Sequence, residues 1–227
     1  MTTEEKFDII KIDLERAASV SGRSGSDIVI LAVTKKVSPD RILPVLDMGI
    51  TDIGENYVQE LLGKYDAIKD KVKNVHFIGH LQTNKVKYII DKVTLIHSVD
   101  RPSLLLEINK RAGEINKIQD ILIEVNLTGE TSKSGVYPEN LDDLISEAVK
   151  LENISLKGFM TMPPAYYGET EAAEVYKALC DISRKYENNG RHSMKCLSMG
   201  MSGDYQVAIE SGSSIIRLGR AIFGDRN

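Results

Sequence analysis

Two lysines close an apolar run. Ile30-Leu31-Ala32-Val33-Thr34-Lys35-Lys36 reads as a strand carried straight into two ammonium groups, although lysine is among the residue types least often buried. Side chains of a strand alternate between its faces, so Lys35 shares a face with Leu31 and Val33, and Lys36 with Ala32 and Thr34. At most one of the two can enter a site. A lysine held against apolar walls near another cation has a lowered pKa and acts as an amine nucleophile that forms a Schiff base with a carbonyl. Far along the chain, two glycine-bearing stretches suit an anion. In Ser198-Met199-Gly200-Met201-Ser202-Gly203-Asp204 the glycines let backbone approach a ligand. Ser202 is expected to N-cap the helix that follows, whose free N–H groups favour negative charge. The second stretch is Arg217-Leu218-Gly219-Arg220-Ala221.

These residues need a scaffold that brings position 35 beside positions 198–220. Runs rich in Val, Ile and Leu alternate with amphipathic stretches, the rhythm of βαβ units around a parallel sheet. Strands are expected over 27–34, 51–53, 75–78, 93–98, 120–126, 155–160, 195–198 and 214–218. Helices are expected near 38–48, 57–68, 82–91, 101–116, 138–150, 168–188 and 202–211, with a further helix over 3–21. Eight strands alternating with helices is the count of an α/β fold of the (β/α)8 TIM-barrel type. The runner-up, a doubly wound open sheet, needs fewer strands. The helix after strand eight must be very short, and the N-terminal helix is expected to take its place in the outer ring. Strands one and eight are neighbours in a closed barrel, which sets Lys35 beside the glycine-bearing loops. An amine facing a phosphate seat suggests a phosphorylated aldehyde or ketone. Three classes follow: a sugar-phosphate aldolase, a racemase or decarboxylase using pyridoxal 5′-phosphate, or a protein that binds pyridoxal phosphate without turning over a substrate.

The chain has 227 residues, 42% hydrophobic and 27% charged, with a net charge of −4. That is ordinary for a soluble globular protein, and charge alone suggests no nucleic-acid or membrane partner. No stretch approaches the roughly 18 consecutive apolar residues of a membrane span. The acidic start MTTEEKFDII lacks a signal peptide's basic end and apolar core, so a cytoplasmic location is expected. Cys180 and Cys196 make no metal-ligand pattern and read as reduced thiols near the core. His76 and His80 have i, i+4 spacing but fall on a strand end and its turn, where that spacing does not converge; no metal is expected. Glu55 reads more readily as a structural partner than as a base. The polar loop 129–135 suits either a mobile lid or a plain surface loop.

LAVTK at 31–35, GENYVQE at 54–60, HFIGHLQTNK at 76–85, SKSG at 132–135, LSMGMSGD at 197–204 and IRLGRAIFG at 216–224 form a set. Together they resemble the pyridoxal phosphate homeostasis protein family. The resemblance implies the barrel of the alanine racemase N-terminal domain standing alone, with residues 1–227 as one domain. It implies that Lys35 holds pyridoxal 5′-phosphate as a Schiff base, with Lys36 on the other face. The cofactor-binding set it implies is Lys35, Asn56, Met160, Ser198, Gly200, Ser202, Gly203, Arg217, Gly219 and Arg220. Ser202 and the backbone around Gly200 and Gly203 would hold the phosphate, with Gly219 and Arg220 on the adjoining loop. Arg217 would stand beside the pyridine nitrogen, Asn56 and Met160 near the cofactor, and His80 and Gln82 near the mouth.

Lys133 matches a family lysine suggested to take part in cofactor release. No catalytic residue is implied. The expected role is intracellular pyridoxal phosphate homeostasis by a monomer that delivers cofactor to apo forms of pyridoxal-phosphate enzymes. The competing class is a small amino-acid racemase or decarboxylase with the same cofactor. A racemase needs a second base, and Tyr57, Lys133 and His80 are the candidates. The sequence departs from the commoner family pattern at GHLQ in place of GPLQ, at Gly203 in place of an acidic residue, and at Arg220 in place of a small hydroxyl residue. Arg220 either pairs with phosphate charge or points to solvent.

Overall fold

The computed structural model describes residues 2–130, 133–186 and 192–224. In it, eight parallel strands pair in chain order and close into a barrel. They are β1 (Val29–Val33), β2 (Asp52–Glu55), β3 (Asn74–Phe77), β4 (Leu95–Val99), β5 (Gln119–Glu124), β6 (Ile154–Met160), β7 (Cys196–Met201) and β8 (Ile215–Leu218). The ring around them is α1 (Thr3–Val20), α2 (Pro39–Asp47), α3 (Val58–Ile68), α4 (Pro102–Glu114), α5 (Leu141–Ala148), α6 (Glu169–Lys185), α7 (Tyr205–Glu210) and α8 (Arg220–Phe223). Closure is made where β1 meets β8, with Leu31 opposite Arg217. The expected barrel is the observed one, and α8 is a single turn.

Phe7, Ile10, Leu14, Ala17 and Ala18 recur at helical spacing and give α1 one buried stripe. That stripe packs on α7 and α8, so α1 fills the outer ring where α8 is too short. Tyr205 ties the contact by donating its hydroxyl hydrogen to Asp13 at 2.9 Å.

Alternation along each strand separates two environments. Outward residues such as Ile53, Phe77, Ile96, Phe159 and Ile216 join the helices in the large apolar layer. Inward, Leu31, Leu95, Leu122, Met160 and Ile215 form a small apolar cluster, with Ile78 and Cys196 packed against it. The other buried interior positions include Asp52, His76, His97, Ser198, Glu124 and Arg217. At Gly158 (φ +152°) an added Cβ would lie 2.0 Å from the Cys196 carbonyl oxygen, so only glycine lets β6 approach β7 this closely. Both cysteines carry free thiols.

Three elements differ from expectation. The segment expected as a helix over 82–91 is a 3₁₀ helix, Thr83–Tyr88. Thr83, Asn84, Val86 and Tyr88 are weak α-helix formers, and the tighter i, i+3 turn suits the short span between β3 and β4. The helix expected from 202 starts at Tyr205, because Asp204 accepts the Met201 N–H at 2.6 Å and holds 201–204 as a turn. Ser202 is therefore not its N-cap. Pro138 begins a short 3₁₀ turn before α5. Residues 187–188 of the expected helix over 168–188 lie outside the described residues.

Candidate functional site

A cavity of about 830 Å³ opens at the C-terminal ends of the strands, where this fold places its chemistry. Lys35, Asn56, Met160, Ser202, Gly203, Arg217, Gly219 and Arg220 line it, with Lys133 and His80. Ser198 and Gly200 do not reach its surface. Ser198 is fully buried behind Arg217, and Gly200 (φ +93°) faces Ala208 and Tyr205 of α7. Tyr57 and Gln82 are exposed outside the cavity.

The amine side is set by β1 and β2. Leu31 belongs to the interior cluster, and Lys35, of the same parity, lines the cavity with Val33. Lys36 is exposed on the opposite face with φ +57°, a left-handed conformation costing a non-glycine residue about 1 kcal/mol. One buried cation holds this turn. Lys64 of α3 donates to the Thr34 carbonyl at 2.9 Å, the Val37 carbonyl at 3.1 Å and Glu55 at 2.7 Å. Glu60 accepts the Lys36 N–H at 2.6 Å. Glu55 is wholly buried and also accepts from Thr34. Burial raises its pKa against the opposing pull of Lys64 and Thr34. Glu55 is a structural partner, as its position beside α3 led one to expect. Gly79 lies against this side: a Cβ there would fall 2.1 Å from the Asn56 carbonyl oxygen. The Oδ1 of Asn56 is buried without a hydrogen-bond donor, an acceptor at the cavity wall that a bound molecule can satisfy.

The opposite side is made by the loops after β7 and β8. The Ser202 hydroxyl oxygen accepts the N–H groups of Gly219 at 3.3 Å and Ala221 at 3.1 Å. Those donors lie at the start of α8, and a Cβ at Gly203 would meet only open space. Arg220 is exposed at the rim.

Between the two sides lies Arg217, 5% exposed. Its Nη1 donates to the carbonyl and hydroxyl oxygens of Ser198, both at 2.7 Å, and its Nη2 to the Thr161 carbonyl at 3.0 Å. Burial pulls its pKa down, while Tyr176, Glu124 and Asp204 favour its charge. Glu124, at the end of β5, was missed in the sequence. It faces the same cavity, and burial, aided by Asp100, pushes its pKa up to about 7 against the pull of Arg217. Lys133 donates to the Met162 carbonyl at 3.1 Å, and burial lowers its pKa, opposed by Glu130. Thr131 and Ser132 of the same loop lie outside the described residues.

A family profile described as "Alanine racemase, N-terminal domain" matches residues 15–227. The chain is 41% identical over 226 residues to a "Pyridoxal phosphate homeostasis protein" of Aquifex aeolicus, with 100% of this chain and 99% of that protein covered. It belongs to the pyridoxal phosphate homeostasis protein family. Within reach of that family is PipY of Synechococcus elongatus PCC7942, solved with PLP bound. PipY shares 26% identity with this chain at a TM-score of 0.83, covering 93% of this chain and 100% of PipY. Alanine racemase of Corynebacterium glutamicum shares the fold at a TM-score of 0.69 and 14% identity. There 95% of this chain and 60% of the racemase are covered, so members of this family share their barrel with a larger enzyme.

Proposed function

We propose that this chain is a pyridoxal 5′-phosphate carrier: it holds the cofactor covalently on Lys35, contributes to pyridoxal phosphate homeostasis and has no dedicated substrate. One observation carries the reading. A lysine just after β1 and a buried arginine on the neighbouring β8 line the same cavity, whose far wall sets the Ser202 hydroxyl against two backbone N–H groups. The residues fit the group. Lys35 supplies an amine for the aldehyde, the loops at Ser202–Gly203 and Gly219–Arg220 supply donors for the phosphate, and Asn56 has an unused acceptor. Bound there, pyridoxal phosphate supplies a reactive carbonyl conjugated to a pyridine ring.

Arg217 is the group for the ring nitrogen. A guanidinium only donates hydrogen bonds, so it favours the unprotonated pyridine and withholds the full electron sink on which carbanion chemistry relies. That supports a carrier over a racemase or decarboxylase. Met160 would lie near the cofactor, and Ser198 and Gly200 would support the wall from behind. Lys133, at the mouth, takes part in release to apo forms of pyridoxal-phosphate enzymes. The chain works as a cytoplasmic monomer with residues 1–227 as one domain; among the described residues no helix is long and apolar enough to cross a membrane.

The test is the visible spectrum of the purified protein, followed by borohydride reduction and peptide mass spectrometry. The expected result is a yellow protein with a reduced pyridoxal phosphate adduct on Lys35, absent from Lys35→Ala, and no turnover of amino acids. A protein that stays colourless with added pyridoxal phosphate overturns the reading. For Lys133, the expectation is that Lys133→Ala keeps its colour but delivers cofactor to an apoenzyme more slowly. Equal delivery rates would remove that role.

A further inference from the structure

A continuous hydrogen-bonded line crosses the barrel interior from its floor to the cavity. Asp52 Oδ1 lies 3.1 Å from His76 Nε2. His76 Nδ1 lies 2.9 Å from His97 Nε2, and His97 Nδ1 lies 2.9 Å from the Ser198 hydroxyl. That hydroxyl receives Arg217 Nη1. All five residues are buried, His97 and Ser198 completely. They come from β2, β3, β4, β7 and β8, and the carrier reading uses only the last two.

With both rings neutral, one arrangement of protons satisfies every group in this line. Arginine can only donate, so Ser198 accepts from Arg217 and has its single hydroxyl hydrogen left for His97 Nδ1. A neutral imidazole has one donor and one acceptor nitrogen; His97 therefore carries its proton on Nε2 and donates to His76 Nδ1. His76 in turn carries its proton on Nε2 and donates to Asp52. From the other end the result is the same. Burial alone would raise the Asp52 pKa, but the hydrogen bonds from His76, Thr51 and Asn74 lower it overall. A carboxylate only accepts. Burial also drives His97 well below the ordinary histidine range, with the Arg217 charge adding to the effect. The line ends at a guanidinium that does not surrender its proton. It is suited to orienting groups, and it is a dead end for carrying protons to the cavity.

We propose that Asp52, His76 and His97 are positioning residues for Arg217. They lock the Ser198 hydroxyl, which holds the guanidinium plane and turns its remaining N–H groups toward the cavity for the ring nitrogen. This rests on the carrier reading for what Arg217 meets, while the arrangement of protons in the line is a property of the chain alone. Glu124, Tyr176 and Asp204 also act on the guanidinium charge, but none of them fixes the Ser198 hydroxyl.

Two measurements test it. Nitrogen-15 NMR of the cofactor-free chain labelled at histidine, assigned with His76→Gln and His97→Gln, should show both rings neutral with the proton on Nε2. A proton on Nδ1 of either ring overturns the proposal. Next, pyridoxal phosphate is titrated into the parent, His97→Leu and His97→Gln. Leucine can neither accept nor donate; glutamine keeps one acceptor and one donor. His97→Leu should bind about tenfold more weakly, the loss of one hydrogen bond to a charged group, with a displaced visible band. His97→Gln should restore both affinity and band. If the parent binds while His97→Leu matches its affinity and spectrum, the positioning role falls and the carrier reading stands. A parent that binds no pyridoxal phosphate removes both.

Discussion

The two walls of the cavity are built on opposite plans. At the β1–β2 side, one side chain must be placed, and buried charge places it: Lys64 grips the carbonyls of Thr34 and Val37 and pairs with Glu55. The backbone pays for this with a left-handed lysine at position 36. In the loops after β7 and β8 the anion seat is built mostly from backbone. A serine hydroxyl stands in front of two backbone N–H groups, and the one arginine at the rim is exposed. A covalent anchor needs one atom aimed in one direction. An anion needs a concave set of donors, which backbone provides without ordering long side chains.

If that contrast is right, the largest effect belongs to the buried pair. Lys64→Met leaves Glu55 as an unpaired carboxylate, and removing one partner of a buried pair costs about 4 kcal/mol. Chemical denaturation should show the loss, and the surviving folded protein should react more slowly with pyridoxal phosphate at Lys35. A stable variant with an unchanged rate would mean that the pair does not aim Lys35.

Glu124 comes next. Its carboxyl is raised from 4.5 to about 7, so the folded chain holds a proton that the unfolded chain has lost between those values. Its stabilising contribution is complete below the lower value and is lost as the pH rises through the upper one. Glu124→Gln does not titrate. Its stability relative to the parent should therefore improve by about 3 kcal/mol between about pH 5 and 8. Parallel pH profiles would show that Glu124 is better solvated than its burial implies.

The smallest effect should come from the opposite wall. Ser202→Ala removes the acceptor of two N–H groups and should cost about 1 kcal/mol. Pyridoxal phosphate should narrow that gap in melting temperature, because phosphate oxygens accept from the same groups. A gap that the ligand leaves unchanged would move the anion seat elsewhere.

The barrel was legible because each strand is a short apolar run between amphipathic stretches; parity let only one of Lys35 and Lys36 point inward, and the family resemblance chose Lys35. The interior polar line was less so. Strands buried on both faces read as nearly continuous apolar runs, and a histidine in Leu95-Ile96-His97-Ser98-Val99 gives no sign of its partners across the barrel. A signal did exist: His97, Glu124 and Arg217 each sit two residues beyond an interior apolar residue, Leu95, Leu122 and Ile215. The start of α7 was missed because the side chain of Asp204, rather than helix propensity, decides where 201–204 stop being a turn. The segment 82–91 failed for a different reason, since residue spacing does not tell a 3₁₀ helix from a short α-helix.

Leu31 and Arg217 are paired neighbours although nearly the whole chain separates them, and the helix that seals their seam is the first one made. Contacts between such distant segments form late, because chain entropy must be lost before they reward it. The seat of Arg217 therefore does not exist in any partly assembled barrel. A newly made chain should become competent for the cofactor only in its last folding step, so the appearance of colour would serve as a clock for ring closure.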